Sequence, residues 1–240
     1  MKIIIKEAGE LAGILAEKYA QLLEKKPDAV LSFAAGHSQL GVFDQLAKMC
    51  KDGKISFAGA KVFCVSEFIG AKGENSAGGF LEKNLFSRID IDPKNIHYPC
   101  QCAADDEDAL KKYDEEIKNA GGIDLMLLGI GTNGAIGFNE PATPFESDTH
   151  TQLLTQATRE RLAVDFGGID AVPEKGVTMG IKTIMASKAV AMIALGEEKS
   201  EIIYKMVYGK TVTYVPASMF QIHLDMTLYL DGDAAKKLTE

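Results

Sequence analysis

The 240-residue sequence has no tryptophan and only seven prolines, four cysteines and four histidines. It also lacks any run near the ~18 consecutive apolar residues that a membrane helix needs, which excludes a helical span. Positive charge is scarce: 26 Lys and Arg against 34 Asp and Glu give a formal net charge of −8. No overall positive field is available to hold nucleic acid or an anionic membrane. An acidic chain that binds phosphate does so locally, with backbone amides and a few cations. The cysteines, Cys50, Cys64, Cys100 and Cys102, show neither zinc-knuckle nor redox CxxC spacing. Cys100-Gln101-Cys102 reads as plain free thiols, and no metal or other cofactor is implied. Residues 1–7 are too short an apolar run for a signal peptide. With free thiols, that predicts a cytoplasmic protein.

What is present is globular. Hydrophobic residues make up 46% and charged residues 25%, close to the average for folded domains, which excludes a disordered chain or a coiled-coil rod. A chain this long hides roughly 70–75% of its unfolded surface, enough for a core without disulfides. There is no repeat, low-complexity tract or linker, so residues 1–240 are expected to form a single domain.

Helical and strand patterns alternate throughout. Residues 11–23 carry Leu11, Ile14, Leu15, Tyr19 and Leu22 at helical spacing. Residues 29–33 read as a strand, 40–50 as a helix and 61–65 as a strand. Residues 105–120 read as a helix stopped by Gly121-Gly122. The apolar runs 124–128 and 190–195 suit strands buried on both faces. Residues 199–208 read as a helix and 227–230 as a last strand. Strands separated by helices predict an α/β fold, doubly wound, with a mostly parallel sheet and helices on both faces.

In such sheets ligands bind beyond the carboxyl ends of the strands. Four polar, glycine-containing stretches fall there: residues 34–39, 66–70, 129–141 and 196–199. Gly36-His37-Ser38 reads either as a phosphate cradle at a helix start or as an ordinary turn with Ser38 as N-cap. Lys199, in the first turn of a helix, has the wrong sign for the helix dipole; it is a solvated lysine or a ligand for an anion. Gly129, Gly131 and Gly134 match GxGxxG, but Pro141 and Pro144 follow where a dinucleotide-binding helix is required. The loop is better read as backbone brought close to a small ligand, with the Glu140 carboxylate as an acid/base candidate. His97 and His223 read as structural, and His150 beside Asp148 forms no recognisable triad.

Together these blocks resemble the aminosugar-phosphate isomerase/deaminase family, the glucosamine-6-phosphate and galactosamine-6-phosphate deaminases, from about residue 29 to 230. The resemblance is most specific at Leu128-Gly129-Ile130-Gly131, Gly134, Ile136 and Phe138-Asn139-Glu140-Pro141. Val177-Thr178-Met179-Gly180-Ile181 and Leu195-Gly196 with Lys199 also match. Pro216-Ala217-Ser218 with Gln221-Ile222-His223 is similar to the galactosamine-type branch. The 6-phosphogluconolactonases share the fold, but their loop usually ends without the Asn-Glu-Pro step.

The resemblance implies that Gly36, His37, Ser38, Gly131 and Lys199 bind a sugar phosphate. A second phosphate-binding arginine is common in the family; Arg159 and Arg161 lie nearby, and Val164 stands at the best-aligned position. The family opens a pyranose ring with an Asp-Gly-His pair backed by a glutamate, then shuttles a proton with an aspartate. Here Glu140 is kept, but Asn133, Ala135 and Ser66 occupy the relay, ring-opening and shuttle positions. Alanine transfers no proton, and serine without an activating partner is a poor base. The resemblance therefore implies weak or altered activity on a small sugar phosphate, with Glu140 as principal acid/base group and Glu67 or His37 recruited. A non-catalytic sugar-phosphate binder and a lactonase-like hydrolase are the alternatives. Family members range from monomers to hexamers, so an oligomer is possible.

Overall fold

The computed structural model describes residues 1–99 and 106–239. The Cys100-Gln101-Cys102 pair lies outside the described residues. In chain order the elements are β1 (Lys2–Ile5), α1 (Ala8–Lys25), β2 (Val30–Phe33), α2 (Leu40–Lys51), β3 (Lys61–Cys64) and β4 (Ser66–Phe68). Next come α3 (Ala77–Asn84), β5 (Ile96–His97), α4 (Glu107–Asn119), β6 (Leu125–Leu128), β7 (His150–Leu153) and α5 (Gln156–Phe166). Last are β8 (Lys175–Thr178), α6 (Ile181–Met185), β9 (Val190–Ala194), α7 (Ser200–Tyr208), β10 (Met226–Leu230) and α8 (Lys236–Thr239).

Seven strands form one parallel sheet in the order β1-β10-β9-β6-β2-β3-β5. Each central strand is buried on both faces because alternate side chains enter different cores. Leu31, Phe33, Leu125, Leu127, Ala191 and Ile193 pack with Leu11, Leu15 and Tyr19 of α1 and Phe43 of α2. Val30, Met126, Leu128, Val190 and Met192 face the other way, against Tyr113 and Ile117 of α4 and Ile202, Ile203 and Met206 of α7. This is the doubly wound α/β arrangement expected from the continuous apolar runs. No helix among the described residues is long and apolar enough to cross a membrane.

The structure adds what periodicity did not reveal. Ser66–Phe68, expected as a loop, is strand β4 of a second, antiparallel sheet ordered β4-β8-β7. Residues 2–5 form edge strand β1, parallel to β10. Helix α5 carries Thr158, Leu162 and Phe166 on one side, as expected for about 3.6 residues per turn. Leu162 and Phe166 pack on Phe68, Phe138 and Leu154, and the Phe68 and Phe166 rings lie edge to face at 5.2 Å. The small sheet thereby carries α5, which reaches the carboxyl edge of the large one: its Asp165 pairs with His37 just past β2.

Candidate functional site

β2, β6 and β9 are neighbours in the sheet, so residues 34–39, 129–141 and 195–199 leave the same edge side by side. Ser38 and Lys199 therefore share one side of the molecule, and the turn His37–Gln39 packs against β9. Gln39, 1% exposed, clamps two of these loops. Its amide donates to the Gly36 carbonyl at 2.5 Å and accepts from the Gly129 N–H at 2.8 Å. Ser38 does not cap the helix that follows: neither Gly36 nor Gln39 shows a side-chain cap. The His37 Nε2 lies 3.4 Å from Asp165 of α5, and its ring meets Phe80 edge to face.

Lys199 is one residue earlier in its turn than expected. It closes a short 3-10 turn, Glu197–Lys199, and α7 begins at Ser200. That turn starts from Gly196, whose φ of +90° an L side chain rarely adopts. The Asp231 carboxylate accepts the Gly196 N–H at 3.0 and 3.1 Å and the Ala234 N–H at 2.8 Å. Asp231 thus ties the loop after β9 to the loop after β10.

The glycine-rich loop folds back on itself without becoming a helix. Gly131 N–H donates to the Ala135 carbonyl at 2.9 Å, and Gly134 N–H to the Gly131 carbonyl at 2.9 Å. Asn133 sits so close that a Cβ on Gly131 would lie 2.7 Å from its Oδ1. Asn133 Nδ2 donates to Glu140 Oε2 at 2.7 Å, and its Oδ1 accepts the Ala135 N–H at 3.1 Å. Glu140 is 2% exposed. Its other oxygen, Oε1, takes the Thr155 N–H at the start of α5, a long contact of 3.4 Å. Ala135 presents only a buried methyl.

Val164 stands at the position that motif alignment gives for the family's second phosphate-binding cation. Val164 is 88% exposed, on the side of α5 away from Thr158, Leu162 and Phe166. Arg161, one turn earlier, keeps a face open to solvent, and its guanidinium end is partly buried. Burial depresses its pKa, and the nearby Glu140 and Asp165 oppose that. Burial also depresses the Lys199 pKa; Arg161 depresses it further, and Glu198 opposes. Two partly desolvated cations therefore lie together, and neither makes an ion pair within 4 Å among the described residues. Arg159 is structural instead: its Nη2 donates to the Ile169 and Val172 carbonyls. Asp231 and the clamping role of Gln39 escaped the sequence reading, while Arg161 was reached only through the family resemblance.

The remaining candidates divide. Ser66 is 7% exposed, just past the end of β3 and opposite Thr178 of β8. Glu67 is 1% exposed. Oε1 accepts the Phe68 and Ala77 amides at 2.6 and 2.8 Å, and Oε2 accepts the Gly78 amide at 2.8 Å. This is an anion placed on the N-terminus of α3, so its recruitment as an acid/base group gives way to a fold-holding role. His223 is buried, with Nε2 3.0 Å from the Ser187 carbonyl. His97 stacks on Phe63 at 4.4 Å. His150 Nδ1 lies 2.8 Å from the Asp148 carbonyl. A cavity of about 530 Å³, lined by Glu17, Gln21, Glu24, Met49 and Lys54 among others, lies at the opposite edge, away from all of these groups.

Fold and site together define a doubly wound α/β protein with a carboxylate and two unpaired cations on one sheet edge, a donor set suited to a small anion. Residues 6–229 match the model for glucosamine-6-phosphate isomerases/6-phosphogluconolactonase, and the chain belongs to that family. It is 38% identical over 238 residues to a glucosamine-6-phosphate deaminase of Clostridium perfringens (strain 13 / Type A), covering 98% of both chains. It is 40% identical over 241 residues to that of Clostridium novyi (strain NT), covering 99% of this chain and all of the other. A solved monomeric glucosamine-6-phosphate deaminase superposes with a TM-score of 0.95 at 35% identity, covering 99% and 100% of the two chains. A 6-phosphogluconolactonase from Thermotoga maritima, at 22% identity and TM-score 0.73 over 96% and 98%, shares the fold.

Proposed function

We propose that this chain is a hexosamine-6-phosphate isomerase/deaminase, converting an amino sugar phosphate and water to a ketose 6-phosphate and ammonia. The reaction moves a proton from C2 to C1, leaving an imine at C2 that water hydrolyses. The observation that carries the reading is the buried Glu140 carboxylate, held by Asn133 in the loop after β6, on the same sheet edge as Lys199 after the neighbouring β9. In this reading Lys199, Arg161 and the turn Gly36-His37-Ser38 hold the phosphate, and Gly131 lets the loop approach the sugar. Each charged hydrogen bond to the phosphate contributes about 1.5–3 kcal/mol. Glu140 carries protons. The relatives named above make glucosamine 6-phosphate the first substrate to test, with the galactosamine epimer second, and the proposed location is the cytoplasm.

The methyl of Ala135 and the hydroxyl of Ser66 stand where the family places a histidine and an aspartate, so turnover is expected to be weak. Positioned acid/base groups each contribute about 10²–10⁴-fold, and their losses are not additive. The decisive assay follows ammonia and fructose 6-phosphate formed from glucosamine 6-phosphate. Release of both supports the enzyme. Clear thermal stabilisation by the sugar phosphate with no product favours a binding protein that has lost turnover, a reading that Ala135 makes specific. Hydrolysis of 6-phosphogluconolactone alone overturns both.

A further inference from the structure

We infer that Asn133 is a positioning residue that decides which oxygen of Glu140 meets the substrate. The inference rests on Glu140 being the proton-carrying group proposed above, and it starts from the two ends of one amide. Asn133 Oδ1 accepts the Ala135 N–H at 3.1 Å, which fixes the orientation of the amide and leaves Nδ2 to face Glu140 Oε2 at 2.7 Å. The amide has no proton to give up and none to take, so it occupies Oε2 without competing for the chemistry. Among the described residues Oε1 meets only the long 3.4 Å contact from Thr155 N–H, and it is the oxygen left for a substrate proton. The proton that Oε1 takes from the substrate is returned to it in the same turnover, so Glu140 ends as it began and no co-reactant is needed. The approach depends on Gly131, since any side chain there would press on Asn133 Oδ1.

Among the described residues the charge that acts with Glu140 is Arg161 of α5; Asp165 and Lys199 act in turn with that arginine, and His37 lies 3.4 Å from Asp165. None of them touches Oε2 in place of Asn133. Losing a donor that holds a charged group in its reactive geometry is worth about 10- to 100-fold in rate.

The test compares Asn133→Ala and Asn133→Asp with the wild type on glucosamine 6-phosphate. Asn133→Ala is expected to lower kcat about 10- to 100-fold while KM and stabilisation by inorganic phosphate stay within about twofold. Asn133→Asp puts two carboxylates at one site, where a single proton must be shared. Its kcat is expected to recover as pH falls, while the wild type shows no such recovery. Equal kcat in wild type and Asn133→Ala, or identical pH profiles, overturns the inference. A second readout needs neither turnover nor a substituted Asn133. In the unliganded wild type the Asn133 side-chain amide protons, followed by ¹⁵N NMR, are expected to shift strongly on Glu140→Ala; unchanged signals overturn the bond itself. A wild type inert on glucosamine 6-phosphate would fail the deaminase reading alone, and Asn133 would then be judged on the amide signals.

Discussion

The two edges of the sheet treat positive charge in opposite ways. Where the strands begin, Asp124 lies between Lys26 Nζ at 2.5 Å and Lys188 Nζ at 2.6 Å and accepts the Val30 N–H at 2.8 Å. One buried carboxylate there joins the starts of β2, β6 and β9. At the edge where the same three strands end, Arg161 and Lys199 have no such partner among the described residues, and burial depresses both pKa values. The paired cations hold the fold. The unpaired ones weaken it, because a cation whose folded pKa is depressed destabilises the folded state wherever it stays charged. An anion that binds at this edge relieves that penalty and stabilises the fold by mass action.

The comparison can be broken most decisively at Glu140. Glu140→Gln is expected to cut kcat/KM about 10²–10⁴-fold, with the melting temperature nearly unchanged because Asn133 keeps an acceptor. A large drop in Tm instead would place Glu140 with Asp124 among the fold-holding groups. At the opposite edge Asp124→Asn is expected to cost about 3 kcal/mol, or about 6–12 °C in Tm for a chain of this size. KM should not change at permissive temperature. Burial pushes the Asp124 pKa up, but the bonds from Lys188, Lys26 and Val30 outweigh it and leave the pKa lowered. Its stabilisation is therefore complete above the unfolded carboxylate value of about 3.9 and is lost as pH falls through the lower folded value. Acid unfolding curves should show the wild type losing its advantage over Asp124→Asn in that window.

The smallest effects sharpen the assignment of the second cation. Arg161→Gln is expected to raise KM about 10- to 100-fold and to abolish most stabilisation by inorganic phosphate, while the ligand-free protein melts no lower than the wild type. Val164→Ser, three residues along the same helix, should change stability by less than about 0.5 kcal/mol and leave KM alone. The reverse pattern in titration calorimetry and enzyme assays would return the role to the aligned position.

The two edges also differ in how far they can be read without coordinates of the fold. The apolar runs at 124–128 and 190–195 announce strands buried on both faces, because nothing else lets every residue of a four- or five-residue strand avoid water. The loop ending Asn139-Glu140-Pro141 is likewise legible, since glycines at close spacing followed by proline exclude a helix. Strands β4, β7 and β8 were not legible. Each is four residues or fewer, and the pairing of β4 with β8 joins segments more than a hundred residues apart, as Ser66 with Thr178. Glu67 illustrates the same limit: a glutamate beside a site motif looks chemical until α3 is seen to end its amides on it.

Sequence alone determined the α/β alternation, the set of loops that carry small and polar residues, and the identity of Glu140 and Lys199 as candidates, because local periodicity and turn chemistry act over a few residues. Only the tertiary structure decided that Val164 faces solvent, that Asn133 holds one oxygen of Glu140, and that Glu67 caps a helix. Those outcomes depend on which face of α5 the small sheet buries and on how loops from distant strands meet at one edge, and such contacts leave no periodic trace in the chain.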